Sequence, residues 1–275
     1  MTNPLLLLSS SGEAKKGGNT VVSCIWKFLA LKNLRNGITA REINLVFDNC
    51  AGQNKNRMVI RFLFFLVNAR ICSIARAIFL VKGHTKNDCD RMFNLMKYDY
   101  RKMNCFTPKE LLLIVNRHPQ VNAIPMESND FLDWDKLEDV MVGKADSILK
   151  NHIFTVKSKD SNRIMVQEYD GAPITRQVLV KKAFQQGIDW NEEIKKLEVI
   201  PPPGLPDIKW NELYYKWGRF VPEDRKQGLV YFHKAPPEAV KRKIASQSAM
   251  AKEVRGKRSR TSNHEKTKPK TTSKK

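Results

Sequence analysis

Residues 58–67 read MVIRFLFFLV, a run in which only Arg61 is polar. A run this apolar belongs in a bilayer or inside a protein. It is far shorter than the roughly 20 residues a spanning helix needs. It therefore predicts a helix over residues 56–70, enclosed on nearly all sides. At 100° per residue its polar positions, Arg57, Arg61 and Asn68, share one narrow edge.

The flanking segments fix the fold class. INLVF (43–47) and AIFLV (77–81) are short continuous apolar runs, as in strands covered on both faces. NTVVSCIWKFLALKNLR (19–35) reads as a helix capped by Asn19 or Thr20, with Val22, Ile25, Trp26 and Leu29 on its apolar face. Another helix runs from Asp88 to Met103, with Cys89, Phe93, Met96, Tyr100 and Met103 on one side. Helix, strand, helix, strand, helix predicts an α/β layer with parallel strands and right-handed crossovers. Ligands of such layers sit beyond the carboxyl ends of the strands. Two polar loops fall there, DNCAGQNKN after the first strand and KGHTKNDCD after the second.

The rest of the chain is read in three parts. Residues 106–149 form a helical extension, opened by Thr107-Pro108-Lys109-Glu110 as a capping box and continued by a helix from Ser128. Residues 150–236 form a β-rich accessory module and an aromatic, basic segment. HIFTVKS, NRIMVQEY and ITRQVLVKK alternate as short antiparallel strands, turned by KDSN and DGAP. FQQGIDWNEEIKKLEVI reads as a helix, and LYYKWGRF mixes rings and cations as stacking surfaces do, or as the packed edge of a small domain does. Residues 237–275 are too charged to bury a core and read as a disordered tail.

The net charge is +21, and Lys241–Lys275 holds thirteen Lys/Arg against two Glu. The body is therefore basic as well as the tail. Such a balance favours a polyanionic partner, nucleic acid above all. GKRSR in the tail resembles a nuclear-localisation or DNA-contacting patch. The N-terminal LLLL is too short for a signal-peptide core, so neither secretion nor a membrane partner is expected. Five scattered cysteines without a CxxC point to a reducing compartment.

At the strand ends the carboxylates are Asp48, Asp88 and Asp90. Acids from separate elements suit divalent ions that clamp an in-line phosphoryl displacement. The same residues also suit an Asx turn and helix caps. Gln53, Asn54, Lys55 and Asn56 precede a helix, where they either cap it or bind phosphate. His84 reads as a proton shuttle or a phosphate contact, with Lys86 and Arg91 beside it. Cys50, His84, Cys89 and Asp90 offer a zinc alternative, but their spacing matches no standard finger.

The strings DNCAGQNKNR (48–57) and VKGHTKNDCDRMF (81–93) resemble the paired motifs of a transposon-derived, RNase H-like domain of eukaryotic proteins, related to integrases and transposases. In that family D-x-C-x-G-Q-N-x-N follows one strand and G-H-(S/T)-x-x-x-C-D-R-x-F the next. GEAKKGGNTVVSC (12–24) is similar to the family's upstream segment, so the resemblance covers residues 12–105. It implies catalytic acids at Asp48 and Asp90, with Glu13 or a residue missing from this chain as the first acid. Asp48 and Asp90 would hold Mg²⁺ or Mn²⁺ for phosphodiester cleavage or strand transfer on DNA. It also implies three N-terminal strands, the first of them central. This chain begins just before the first helix, so a partial RNase H-like core without those strands is expected. Such a chain would be inactive as it stands. The alternative is a non-catalytic nucleic-acid-binding protein, a domesticated or degenerate copy.

Overall fold

In the computed structural model the apolar run lies at the heart of the main core. The described residues are 5–9, 12–36, 41–81, 88–138, 148–178, 188–227 and 229–238. The loop reading at 82–87, the helix reading across 139–147 and the tail from 239 lie outside them. The chain divides into two units, Met1–Gly204 and Leu205–Lys275.

The first unit runs β1 (Leu5–Leu8), α1 (Gly18–Leu31), β2 (Glu42–Phe47), α2 (Arg57–Asn68), β3 (Ile74–Phe79), α3 (Asp88–Tyr100), α4 (Pro108–Val115), β4 (Asn122–Pro125), β5 (Ile153–Lys157), β6 (Arg163–Gln167), β7 (Thr175–Val178) and α5 (Trp190–Lys195). It is a mixed α/β fold, as the alternation predicts. β2 and β3 are parallel, with Phe47 opposite Phe79 and their rings stacked 5.4 Å apart. α2 lies on β3 and β5 and also packs against α1. That position explains an all-round apolar helix: Met58–Ile60 and Phe62–Val67 are all buried.

Trp134 closes this core. Its ring meets Trp26, Phe62 and Phe65 edge-on at 5.7, 5.2 and 5.6 Å. Its Nε1 donates to the fully buried Ser23 hydroxyl (3.1 Å), which also accepts from the Leu132 amide (3.0 Å). A buried hydroxyl with two donors leaves neither amide nor indole unsatisfied.

The structure departs from the sequence reading in several places. β2 and β3 are packed on one face only. Ile43, Leu45 and Phe47 join the core with Ala75, Ala77 and Phe79, whereas Val46 is 55% exposed. The reason is that α2 covers a single side. β5, β6 and β7 do not form a module of their own. They continue the sheet in the order β2-β3-β5-β6-β7, with β5 antiparallel to β3. β3 is thus paired on both sides, and β2 is an edge strand among the described residues. LLLL, for which no element is expected above, is β1, parallel to β4 in a separate two-stranded sheet. The helix expected from Ser128 is two short 3₁₀ turns, Ser128–Asp130 and Trp134–Glu138. Of the apolar side of α3, Met96 is buried while Phe93 stays exposed. It joins Val115, Val121 and Ala123 in a small second core with Leu6 and Leu8 of β1.

The capping box forms as read. Glu110 N–H donates to Thr107 Oγ1 (3.1 Å), Thr107 N–H returns to Glu110 Oε2 (3.3 Å), and Pro108 opens α4. Among the described residues no helix is long and apolar enough to cross a membrane.

Candidate nucleic-acid interface

The loop after β2 is a self-contained turn. Amides of Gln53, Asn54 and Lys55 all donate to the Cys50 carbonyl (3.2, 2.8 and 3.0 Å). The Asn54 side chain donates to Asp48 Oδ1. Asn56 caps α2, accepting the Val59 amide at 3.2 Å and donating to the Gln53 carbonyl at 2.7 Å. Gln53 is half-buried in the same turn. Asp48 stays exposed at the carboxyl end of β2. The loop chemistry therefore satisfies the turn and cap roles of these residues first.

Lys55 corrects the phosphate-contact reading. It is only 2% exposed, and its ammonium donates to the Leu149 carbonyl (2.9 Å), 5.6 Å from the centre of the Phe79 ring. Desolvation lowers its pKa below the ordinary lysine value. Its cation is used inside, pinning the loop to the segment ahead of β5. The same edge is closed by Phe79 and His152, which exchange a backbone bond (2.8 Å) and an imidazole Nδ1 bond to the Phe79 carbonyl (2.9 Å).

Asp90 and Arg91 are exposed near the start of α3, and Glu13 is half-buried in the turn ahead of α1. His84 and Lys86 lie outside the described residues, as do the side chains of Asp88 and Cys89. Among the described residues no group of three or more His, Cys, Asp or Glu is placed to hold a metal ion. Asp48, Asp90 and Glu13 do not form such a group among the described residues. Cys24 is half-buried and Cys72 buried. Burial raises Cys24 to about 11 and Cys72 to about 12.

A different site does assemble. The first turns of α1 and α2 converge on a cavity of about 720 Å³ lined by Lys15, Lys16, Arg57 and Arg61, with Asp133 and Asp135 also on its wall. Gly17 ends α1 without a side-chain cap, and neither helix has an acidic residue in its first turn. The expected caps are otherwise engaged. Asn19 donates to Asp135 (2.9 Å) and accepts the Trp134 amide (3.0 Å), and Thr20 donates to the Lys15 carbonyl (2.5 Å). Two helix ends and four cationic side chains give this cavity a positive side suited to phosphate.

The sequence reading passed over Lys15 and Lys16 as ligands. The signal was present in AKKGGN, two lysines and two glycines ahead of a helix with no acid in its first turn. The shared edge of Arg57, Arg61 and Asn68 was legible. Its residues separate in use, because Asn68 donates to the Phe64 carbonyl (2.9 Å) while both arginines line the cavity.

Comparison with curated proteins and with solved structures returns no match. One family model does match, over residues 7–172, a span that runs from β1 past β6 and takes in both polar loops and the four cationic residues of the cavity. That span is more than half of the chain, and the protein belongs to this family, the Domain of unknown function (DUF7869).

Proposed function

We propose that this protein is a transposon-derived, RNase H-like nucleic-acid-binding protein of the nucleus, related to integrases and transposases, that holds a DNA backbone at the converging ends of α1 and α2. The observation that carries the reading is the basic cavity: Lys15, Lys16, Arg57 and Arg61 around two helix N-termini without acidic first turns. Backbone amides and cations together recognise phosphate without reading bases. Asp133 and Asp135 on the wall keep a strand from lying across the whole cavity and leave its basic side to the phosphates. The net charge of +21 supplies long-range attraction to the same partner.

The test is binding of a DNA duplex over a salt series. Replacing Lys15, Lys16 and Arg57 by Gln should weaken binding and flatten the slope of log K against log salt by roughly one per contact removed. An unchanged slope would sink this assignment.

Metal-dependent phosphodiester cleavage or strand transfer, with Mg²⁺ or Mn²⁺, is the second reading. It is favoured by one observation, the exposed carboxylate of Asp48 at the carboxyl end of a parallel strand. Since the described acids do not form a metal-holding group, no chemical step is assigned to them. Mn²⁺-dependent nicking of DNA that disappears in Asp48→Asn would establish this reading over simple binding.

A further inference from the structure

The second unit packs some of its rings together and turns others out. α6 (Asp207–Glu212) runs into a wider π turn, Leu213–Trp217, and then a 3₁₀ turn, Gly218–Phe220. α7 (Glu223–Lys226) and α8 (Val230–His233) follow. Trp210 packs edge-on against Tyr231 at 5.3 Å and donates its indole N–H to the Lys234 carbonyl (3.1 Å). The Leu205 amide donates to the Tyr231 hydroxyl (3.4 Å). These two rings hold the unit together.

Trp217 and Phe220 take no part in that closure. They are 46% and 58% exposed, with centroids 6.4 Å apart. Gly218 between them is buried, and a Cβ there would come within 3.1 Å of the Phe232 carbonyl and 3.2 Å of the Leu213 carbonyl. The backbone at Gly218 is therefore pinned inward, and its neighbours are presented to solvent. Each ring has a cation beside it from its own turn. Lys216 Nζ lies 5.1 Å from the Trp217 ring centre, and Arg219 Cζ lies 4.7 Å from that of Phe220. Other cations of the unit face carboxylates instead, as Lys226 does with Glu223 at 2.5 Å and Lys209 with Glu212 at 3.6 Å.

We infer that Trp217 and Phe220, with Lys216 and Arg219, form a stacking platform for single-stranded nucleic acid. The inference deepens the nucleic-acid-binding reading and rests on it. A duplex keeps its base faces covered and meets a protein mainly through phosphates and groove edges. A single strand offers bare π faces, which stack on exposed aromatic rings whatever the base. A base on Trp217 or Phe220 brings its own phosphate to the cation already at that ring. A protein partner would be served by the rings alone. The paired cations select the polyanion.

The experiment compares oligo-dT with a duplex of equal length on the full chain at matched salt, read by polarisation and by tryptophan fluorescence. The double variant Trp217→Ala/Phe220→Ala should lose about tenfold or more in oligo-dT affinity. Duplex affinity should be unchanged, and the fluorescence quenching on oligo-dT should shrink. Trp217→Tyr should retain most of the affinity, which separates a lost stacking face from a lost fold. Equal oligo-dT affinity in wild type and double variant would overturn the platform. So would a Trp217→Tyr protein as weak as the double variant. The cavity variants Lys15→Gln, Lys16→Gln and Arg57→Gln, run alongside, test the duplex reading separately. If they leave duplex binding intact while the ring variants lose oligo-dT, the cavity assignment fails and the platform stands.

Discussion

A Cβ built on Gly18 would stand 2.7 Å from Met58 Cβ and 2.8 Å from Asn56 Oδ1. The first turns of α1 and α2 therefore meet at a point where only glycine fits. The nearest atoms belong to the first turn and the capping residue of α2, so they have little freedom to move aside. Gly18→Ala should cost about 1–3 kcal/mol of stability despite alanine's better helix propensity, because overpacking outweighs that gain. It should also weaken duplex binding, since the two helix ends separate. Denaturant unfolding and duplex titration of the same variant check both effects.

Ser23 accepts from Trp134 Nε1 and from the Leu132 amide, and it is fully buried. Ser23→Ala removes the one acceptor that serves both donors. The expected loss is roughly 1–3 kcal/mol, with the tryptophan emission changed as the indole loses its partner. Unfolding followed by fluorescence and by circular dichroism measures it.

Lys55 links stability to pH. Its folded-state pKa lies below the ordinary value of 10.5 because burial disfavours the cation. Below the folded value both states carry the proton, and the desolvation cost is present in full. Between the folded value and 10.5 only the unfolded chain binds it, so stability rises with pH. Compared with Lys55→Met, the wild-type protein should gain ground across that alkaline window and hold level below it. Melting temperatures of the pair through a pH series decide the point. A constant difference at every pH would contradict the burial of this ammonium.

Cys24 and Cys72 should resist alkylation in the native protein at about pH 8, where an ordinary thiol reacts. Burial holds them at about 11 and about 12. Mass spectrometry after a short iodoacetamide pulse should find both unmodified, and both labelled once denaturant is added.

The α/β class, the parallel pair and the placement of α1, α2 and the capping box were legible because each rests on local periodicity or on a turn of chain. What the sequence concealed is non-local. Nothing within IARAIF says that its second neighbour comes from IFTVK, which is antiparallel and lies far along the chain. Nothing in GQNKN says that its lysine faces a carbonyl at Leu149 and not solvent. The basic cavity was hidden for the same reason, since Lys15 and Arg57 become neighbours only once Gly18 lets two helices touch. The loop polarity that suggested a site at Asp48 is mostly consumed by the loop's own hydrogen bonds.

The pairing of β3 with β5 also sets an order of events at the ribosome. A nascent chain that has emerged only as far as α4 already holds α1, β2, α2 and β3, yet one side of β3 has no neighbour until Ile153–Lys157 arrives. During that interval the strand is an open template for other chains. The Lys55 anchor is equally absent until Leu149 has been synthesised. A fragment ending before β5 should therefore be captured by holdase chaperones or aggregate, and cell-free synthesis with chains stalled so that β5 lies inside or outside the ribosome should show protease resistance only once β5 is outside.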